Sequence, residues 1–112
     1  MDPAIWGPHL WFFLHSMSFC YAENRLSPTK TEKKDMYNFL KSLRTVLPCT
    51  VCKENYSNYF NLYPPRLNSR KELFEWLVDL HNHVNTEVSK KGDYSNYSYT
   101  DVEKMYKSIY KK

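Results

Sequence analysis

The sequence predicts an all-α fold, a four-helix bundle with a short fifth helix. Three observations predict it. Apolar residues recur at three- and four-residue spacing in five segments, and Ser/Thr-x-x-Glu signatures precede two of them. No alternating run long enough for a strand competes with them. At 112 residues the chain fits one small domain, expected over residues 1–112. Its 42% hydrophobic and 25% charged residues are ordinary for a folded chain and argue against disorder.

Helix 1 is expected to start around Pro8 in its first turn and to run to about Tyr21. Leu10, Leu14, Met17 and Tyr21 form its core stripe, with Trp11, His15 and Ser18 beside it. Asn24 to Lys30 reads as a loop broken at Ser27-Pro28. Helix 2 covers about Glu32 to Val46, with Met36, Leu40, Leu43 and Leu47 inward, and Pro48 closes it. Helix 3 begins near Cys49 or Thr50, carries Val51, Tyr56, Tyr59 and Phe60, and ends at Tyr63-Pro64-Pro65. Ser69-Arg70-Lys71-Glu72 is a capping box for helix 4. Leu73, Leu77, Leu80, Val84 and Val88 mark its buried face, and Gly92 is its stop signal. After a Tyr-rich loop to Tyr99, Thr100-Asp101-Val102-Glu103 reads as a second box. It opens helix 5 with Val102, Met105, Tyr106, Ile109 and Tyr110.

Composition excludes several functions. Gly7 and Gly92 are the only glycines, so neither a phosphate loop nor a dinucleotide fingerprint is present. The most apolar run, Trp11 to Phe19, is too short to cross a bilayer, so no membrane role is expected. The Met1-Asp2-Pro3 start lacks a basic region, and no targeting signal is read there. The net charge of +4 suits an anionic small molecule or acidic partner. A Tyr-rich binder of single-stranded nucleic acid ranks last, because acidic residues are interspersed with Lys throughout.

Three constellations can carry chemistry. Cys49-Thr50-Val51-Cys52 is a C-x-x-C at a predicted helix start, where free N–H groups and the helix dipole favour a thiolate. Its two sulfurs suit dithiol–disulfide exchange, one meeting the substrate and the other resolving the mixed disulfide. The alternative is a zinc-stabilised interaction module using Cys49, Cys52 and His, although no second C-x-x-C exists. The third cysteine, Cys20, reads as a small buried hydrophobe. His81-Asn82-His83-Val84-Asn85 concentrates imidazoles and amides on helix 4. His81 and His83, two apart, point away from each other, which disfavours a metal site using both. A hydrogen-bonding wall for a planar ligand fits them better. In Trp6-Gly7-x-x-x-Trp11-x-x-x-His15, Trp11 and His15 share a face that either packs as core or clamps a flat cofactor.

The three blocks in this order resemble the Erv/ALR family of FAD-linked sulfhydryl oxidases, over about residues 5 to 110. The resemblance implies a bundle with flavin bound at the helix N-terminus that carries the C-x-x-C. It implies that Cys52 is the flavin-proximal cysteine and Cys49 the interchange thiol. Gly7, Trp11 and His15 would line the FAD site from helix 1, and His81, Asn82, Val84 and Asn85 from helix 4. Lys90 would sit near the phosphates or flavin edge. Tyr106 stands where many members have Trp. A cysteine pair that staples helix 5 in many cellular members is replaced here by Tyr and Ser, and no shuttle cysteine pair is present. The implied reaction forms disulfides in thiol-containing substrate proteins and passes electrons through FAD to molecular oxygen, giving hydrogen peroxide. A homodimer through helices 1 and 2 is implied, with no metal. The minimal form looks most like versions encoded by large DNA viruses. That points to host cytoplasm or the virion, with the mitochondrial intermembrane space as the alternative.

Overall fold

The computed structural model describes residues 1–88 and 96–111, with the side chain of Val88 left out. The described residues form five helices: α1 (Pro3–Phe19), α2 (Lys30–Val46), α3 (Thr50–Leu62), α4 (Arg70–Val88) and α5 (Tyr99–Tyr110). Helix α1 packs against α4, α2 against α3, and α5 against both α1 and α4.

Helix α1 begins five residues before the expected start. Asp2 caps it by accepting the Ala4 N–H at 2.9 Å, and Pro3 occupies the first turn. Pro3 and Pro8 are equally suited to a first turn by their fixed φ, and the carboxylate one residue before Pro3 decides between them. Pro8 then lies inside the helix, where it lacks the N–H that would bond the Ala4 carbonyl. At its other end the chain turns through Ala22 and Asn24, both in left-handed conformation, with φ of 52° and 64°. Phe19, Tyr21 and Ala22 take the inward places there. Cys20 is left exposed, contrary to its expected burial.

Helix α2 has a complete capping box. Thr29 accepts the Glu32 N–H at 3.1 Å, and Glu32 accepts the Thr29 N–H at 2.8 Å. Helix α3 opens at Thr50 with Cys49 as its cap. Val51, expected to pack, is 62% exposed in the first turn. Ser69 caps α4 by accepting the Glu72 N–H at 3.1 Å. The cap of α5 is Ser98 rather than Thr100: Ser98 Oγ accepts the Asp101 N–H at 3.0 Å, two residues earlier than expected. Both hydroxyls precede an acidic residue by one to three positions, so the local signature does not separate them. Gly92 lies outside the described residues.

Two apolar clusters hold the bundle together. The larger joins Leu14 and Tyr21 to Leu40, Leu43 and Leu47, to Tyr56, Tyr59 and Phe60, and to Leu73, Trp76, Leu77 and Leu80. Trp76 is fully buried, and its Nε1–H reaches the Tyr63 carbonyl at 2.9 Å, so its ring is buried without an orphaned donor. The smaller cluster, Phe19, Phe74, Val78, Val102 and Tyr106, fixes α5 on α1 and α4. Met105, Ile109 and Tyr110 of α5 stay largely exposed.

Candidate redox and aromatic site

The C-x-x-C is built into the start of α3. Cys49 has the extended backbone of a cap residue, and its Sγ accepts the Cys52 N–H at 3.2 Å. A sulfur that accepts from helix N-terminal donors is better stabilised as thiolate. Hydrogen bonds from Cys52, through its thiol first and its backbone next, hold the Cys49 thiol below its ordinary range. Burial pushes the Cys52 thiol up to about 11, and the neighbouring Cys49 adds to the rise. The two thiols are therefore unequal: when the pair ionises, Cys49 loses its proton before Cys52. Both are free thiols in this structure. Cys52 packs against the larger core cluster, as do Trp11 and Val84.

On the neighbouring helices, α1 and α4 bring three flat rings together. Trp11 stacks on His81 with centroids 3.9 Å apart and planes 9° apart. His15 lies 5.3 Å from His81, and its Nε2 is 3.0 Å from His81 Nδ1. One imidazole donates and the other accepts, so the pair holds together only when at least one ring is neutral. Burial lowers the pKa of His15 to about 4. His81 is lowered to about 4 as well, by burial first and by His15 second. His15 is 3% exposed, and its Nδ1 is buried with no hydrogen-bond partner.

Of the remaining expected residues, Tyr106 meets these rings directly. Tyr106 is 4% exposed and tilts against His15 at 5.6 Å from α5. Gly7 is buried in α1, yet a methyl group on it would meet nothing within 4 Å. Val84 and Asn85 are half-buried on α4. The Asn82 amide pairs with backbone: its Nδ2 donates to the Tyr97 carbonyl at 3.0 Å, and its Oδ1 accepts the Tyr97 N–H at 2.7 Å. Lys90 lies outside the described residues. Reasoning from sequence missed Tyr97, whose ring sits 4.8 Å from His81. Its one signal was the Tyr-rich composition of the segment before α5.

The two histidines of the α4 block diverge as their spacing requires. His83 turns to α3, with its ring 4.8 Å from Tyr59 and its Nε2 4.0 Å from Glu87. His81 and His83 therefore have separate neighbours. Among the described residues no three His, Cys, Asp or Glu side chains gather as metal ligands, and nothing supports the zinc alternative. Among them, too, no helix is long and apolar enough to cross a membrane.

The sequence and the fold are similar to those of known proteins. A mimivirus protein (Acanthamoeba polyphaga mimivirus) named "probable FAD-linked sulfhydryl oxidase" is 40% identical over 94 residues, covering 81% of this chain and 64% of that protein. The mitochondrial FAD-linked sulfhydryl oxidase erv1 of Schizosaccharomyces pombe is 36% identical over 91 residues, covering 80% of this chain and 48% of that protein. The chain thus spans less than two thirds of the length of either relative. The crystal structure of the FAD binding domain of Erv1 from Saccharomyces cerevisiae superposes with a TM-score of 0.84 at 30% identity, covering 96% of each chain. That likeness agrees with the five-helix fold expected from the sequence. The profile of the Erv1 / Alr family matches residues 8–107, and the chain belongs to that family.

Proposed function

We propose that residues 1–112 form one FAD-dependent sulfhydryl oxidase domain. The observation that carries this reading is the unequal thiol pair at the start of α3. Cys49, the more acidic sulfur, exchanges with the substrate, and Cys52, set on the core, faces the cofactor. A substrate thiolate attacks the Cys49–Cys52 disulfide at Cys49, and Cys52 leaves with the bonding electron pair. A second substrate thiolate then attacks the mixed disulfide and releases Cys49. The substrate loses two electrons and two protons as its disulfide forms, and the C-x-x-C gains them. Bound FAD would supply two-electron transfer from the dithiol to molecular oxygen, giving hydrogen peroxide.

The residues present fit such a group. His15 offers an unpartnered buried nitrogen, Gly7 faces open space, and Trp11 and His81 present flat parallel rings. Gly7, Trp11, His15, His81, Asn82, Val84, Asn85, Lys90 and Tyr106 are assigned to the FAD site, Asn82 through the segment that it holds. The neutral His15–His81 pair keeps positive charge out of the aromatic site and holds both rings in fixed orientation.

The substrates proposed are thiol-containing proteins, and the acceptor is molecular oxygen. A homodimer through α1 and α2 is supported by Phe12, Phe13 and Phe39, which remain substantially exposed although Phe13 and Phe39 touch edge to face at 6.3 Å. The viral relative supports host cytoplasm or the virion as location, and the fungal one supports the mitochondrial intermembrane space.

The test is a visible absorption spectrum of the purified chain, followed by addition of a dithiol under air. Flavin bands that bleach and then recover as peroxide accumulates are expected. A folded, colourless chain that cannot be loaded with FAD overturns the reading.

A further inference from the structure

The segment before α5 delivers a residue to the ring stack that the motifs do not contain. Tyr97 lies outside any helix and is 44% exposed, so neither burial nor helical register fixes it. Its backbone is nonetheless held at both ends by one side chain. Asn82 donates to its carbonyl at 3.0 Å and accepts from its N–H at 2.7 Å. An amide side chain presents a donor and an acceptor side by side in one plane, as a strand neighbour does, and such a pair of hydrogen bonds fixes orientation as well as distance. Asn82 sits one residue after His81 on α4. The clamp therefore places the Tyr97 ring next to the His81 ring, 4.8 Å away and tilted by 52°. Trp11 covers His81 with a centroid 3.9 Å away. His81 thus has aromatic neighbours from α1 and from the segment leading into α5.

We infer that Tyr97 is a further ring of the cofactor site, and that Asn82 is a positioning residue which acts through Tyr97. This rests on the flavin reading and deepens it. A flat heterocycle entering between these helices gains a contact from Tyr97 that no helix-borne residue supplies. Asn82 spends its amide on the Tyr97 backbone, so its contribution to affinity passes through the ring that it holds. The Tyr97 hydroxyl is not needed for this role: ring and backbone suffice.

The test titrates FAD into the apo chain of residues 1–112 and reads the dissociation constant from flavin fluorescence. It compares wild type, Tyr97→Ala, Tyr97→Phe, Asn82→Ala and the Tyr97→Ala/Asn82→Ala double variant. Helicity is checked by circular dichroism, and the His81 ring protons of each apo chain by NMR. Tyr97→Ala and Asn82→Ala should each weaken binding by about five- to tenfold. Tyr97→Phe should stay within about twofold of wild type. The double variant should bind no worse than the weaker single one, because both remove the same contact. Both Tyr97→Ala and Asn82→Ala should move the His81 ring signals of the apo chain. If wild type binds FAD and Tyr97→Ala binds equally well, or if the two losses simply add, the inference is overturned while the flavin reading stands. If wild type binds no FAD, both fall. Unmoved His81 signals in apo Tyr97→Ala overturn the ring placement whatever the flavin does.

Discussion

Tyr99 donates its phenolic hydrogen to Asp79 across the junction of α4 and α5, with Oη 2.5 Å from Oδ1. The other carboxylate oxygen of Asp79 accepts from Arg66 at 2.9 Å, so one carboxylate ties the segment after α3 and the first turn of α5 to the middle of α4. The hydrogen bond to Asp79 also raises the Tyr99 pKa above its ordinary value, ahead of burial. Tyr99→Phe keeps the ring and removes the donor. It should lower unfolding stability by about 1 kcal/mol, measured by urea denaturation. An unchanged midpoint would show that the other contacts of α5, among them Val102 and Tyr106, dock it without this hydrogen bond.

The unequal thiols predict an order of modification. At pH 8 a thiol with a pKa of about 11 is ionised in roughly one molecule per thousand. In the reduced chain, iodoacetamide followed by peptide mass spectrometry should label Cys49 at least about tenfold faster than Cys52. Labelling of Cys52 before Cys49 would reverse the roles assigned to them.

Cys52→Ser should cut aerobic dithiol turnover by about a hundredfold or more, with helicity and bound flavin retained. The half-buried position of Cys52 accommodates a hydroxyl of similar size. Peroxide produced at the wild-type rate by this variant would remove Cys52 from the reaction.

Acid should loosen the aromatic site. His15 titrates near 4 in the folded chain, against about 6.5 unfolded. Between those values the unfolded chain binds more protons, so stability is fully present above about pH 6.5 and is lost as pH falls toward 4. His15 alone accounts for about 3 kcal/mol of that loss, and His81 titrates in the same window. Denaturation midpoints measured from pH 7 to pH 4 should fall for wild type and fall less steeply for His15→Gln. Equal slopes would place the acid sensitivity elsewhere.

The helical periods made most of the fold legible. Leu40 and Leu43, Leu73 and Leu77, and Trp11 with His15 fall where their spacing puts them. The divergence of His81 and His83 was legible for the same reason, since two positions on a helix differ by about 200°. Helix ends were less legible, because the choice among Asp2, Ser98 and Thr100 depends on which hydroxyl or carboxylate meets an N–H. Cys20 and Val51 were misplaced because apolar composition says nothing about the direction in which a terminal turn faces. Tyr97 had only the Tyr-rich composition of its segment to mark it. A loop residue reaches a site only through tertiary contacts, and here the contact is the Asn82 amide, which motif logic treats as a ligand in its own right.

The sulfur that caps α3 has a consequence for how the helix reads out its own chemistry. The Cys52 amide proton points at Cys49 Sγ, and a hydrogen bond to a thiolate is stronger than one to a neutral thiol or to a sulfur already bonded to another. The exchange rate and chemical shift of that single amide therefore act as an internal gauge of the charge on Cys49. Helix α3 should fray most at its first turn when Cys49 is engaged in a mixed disulfide, and tighten when it is released.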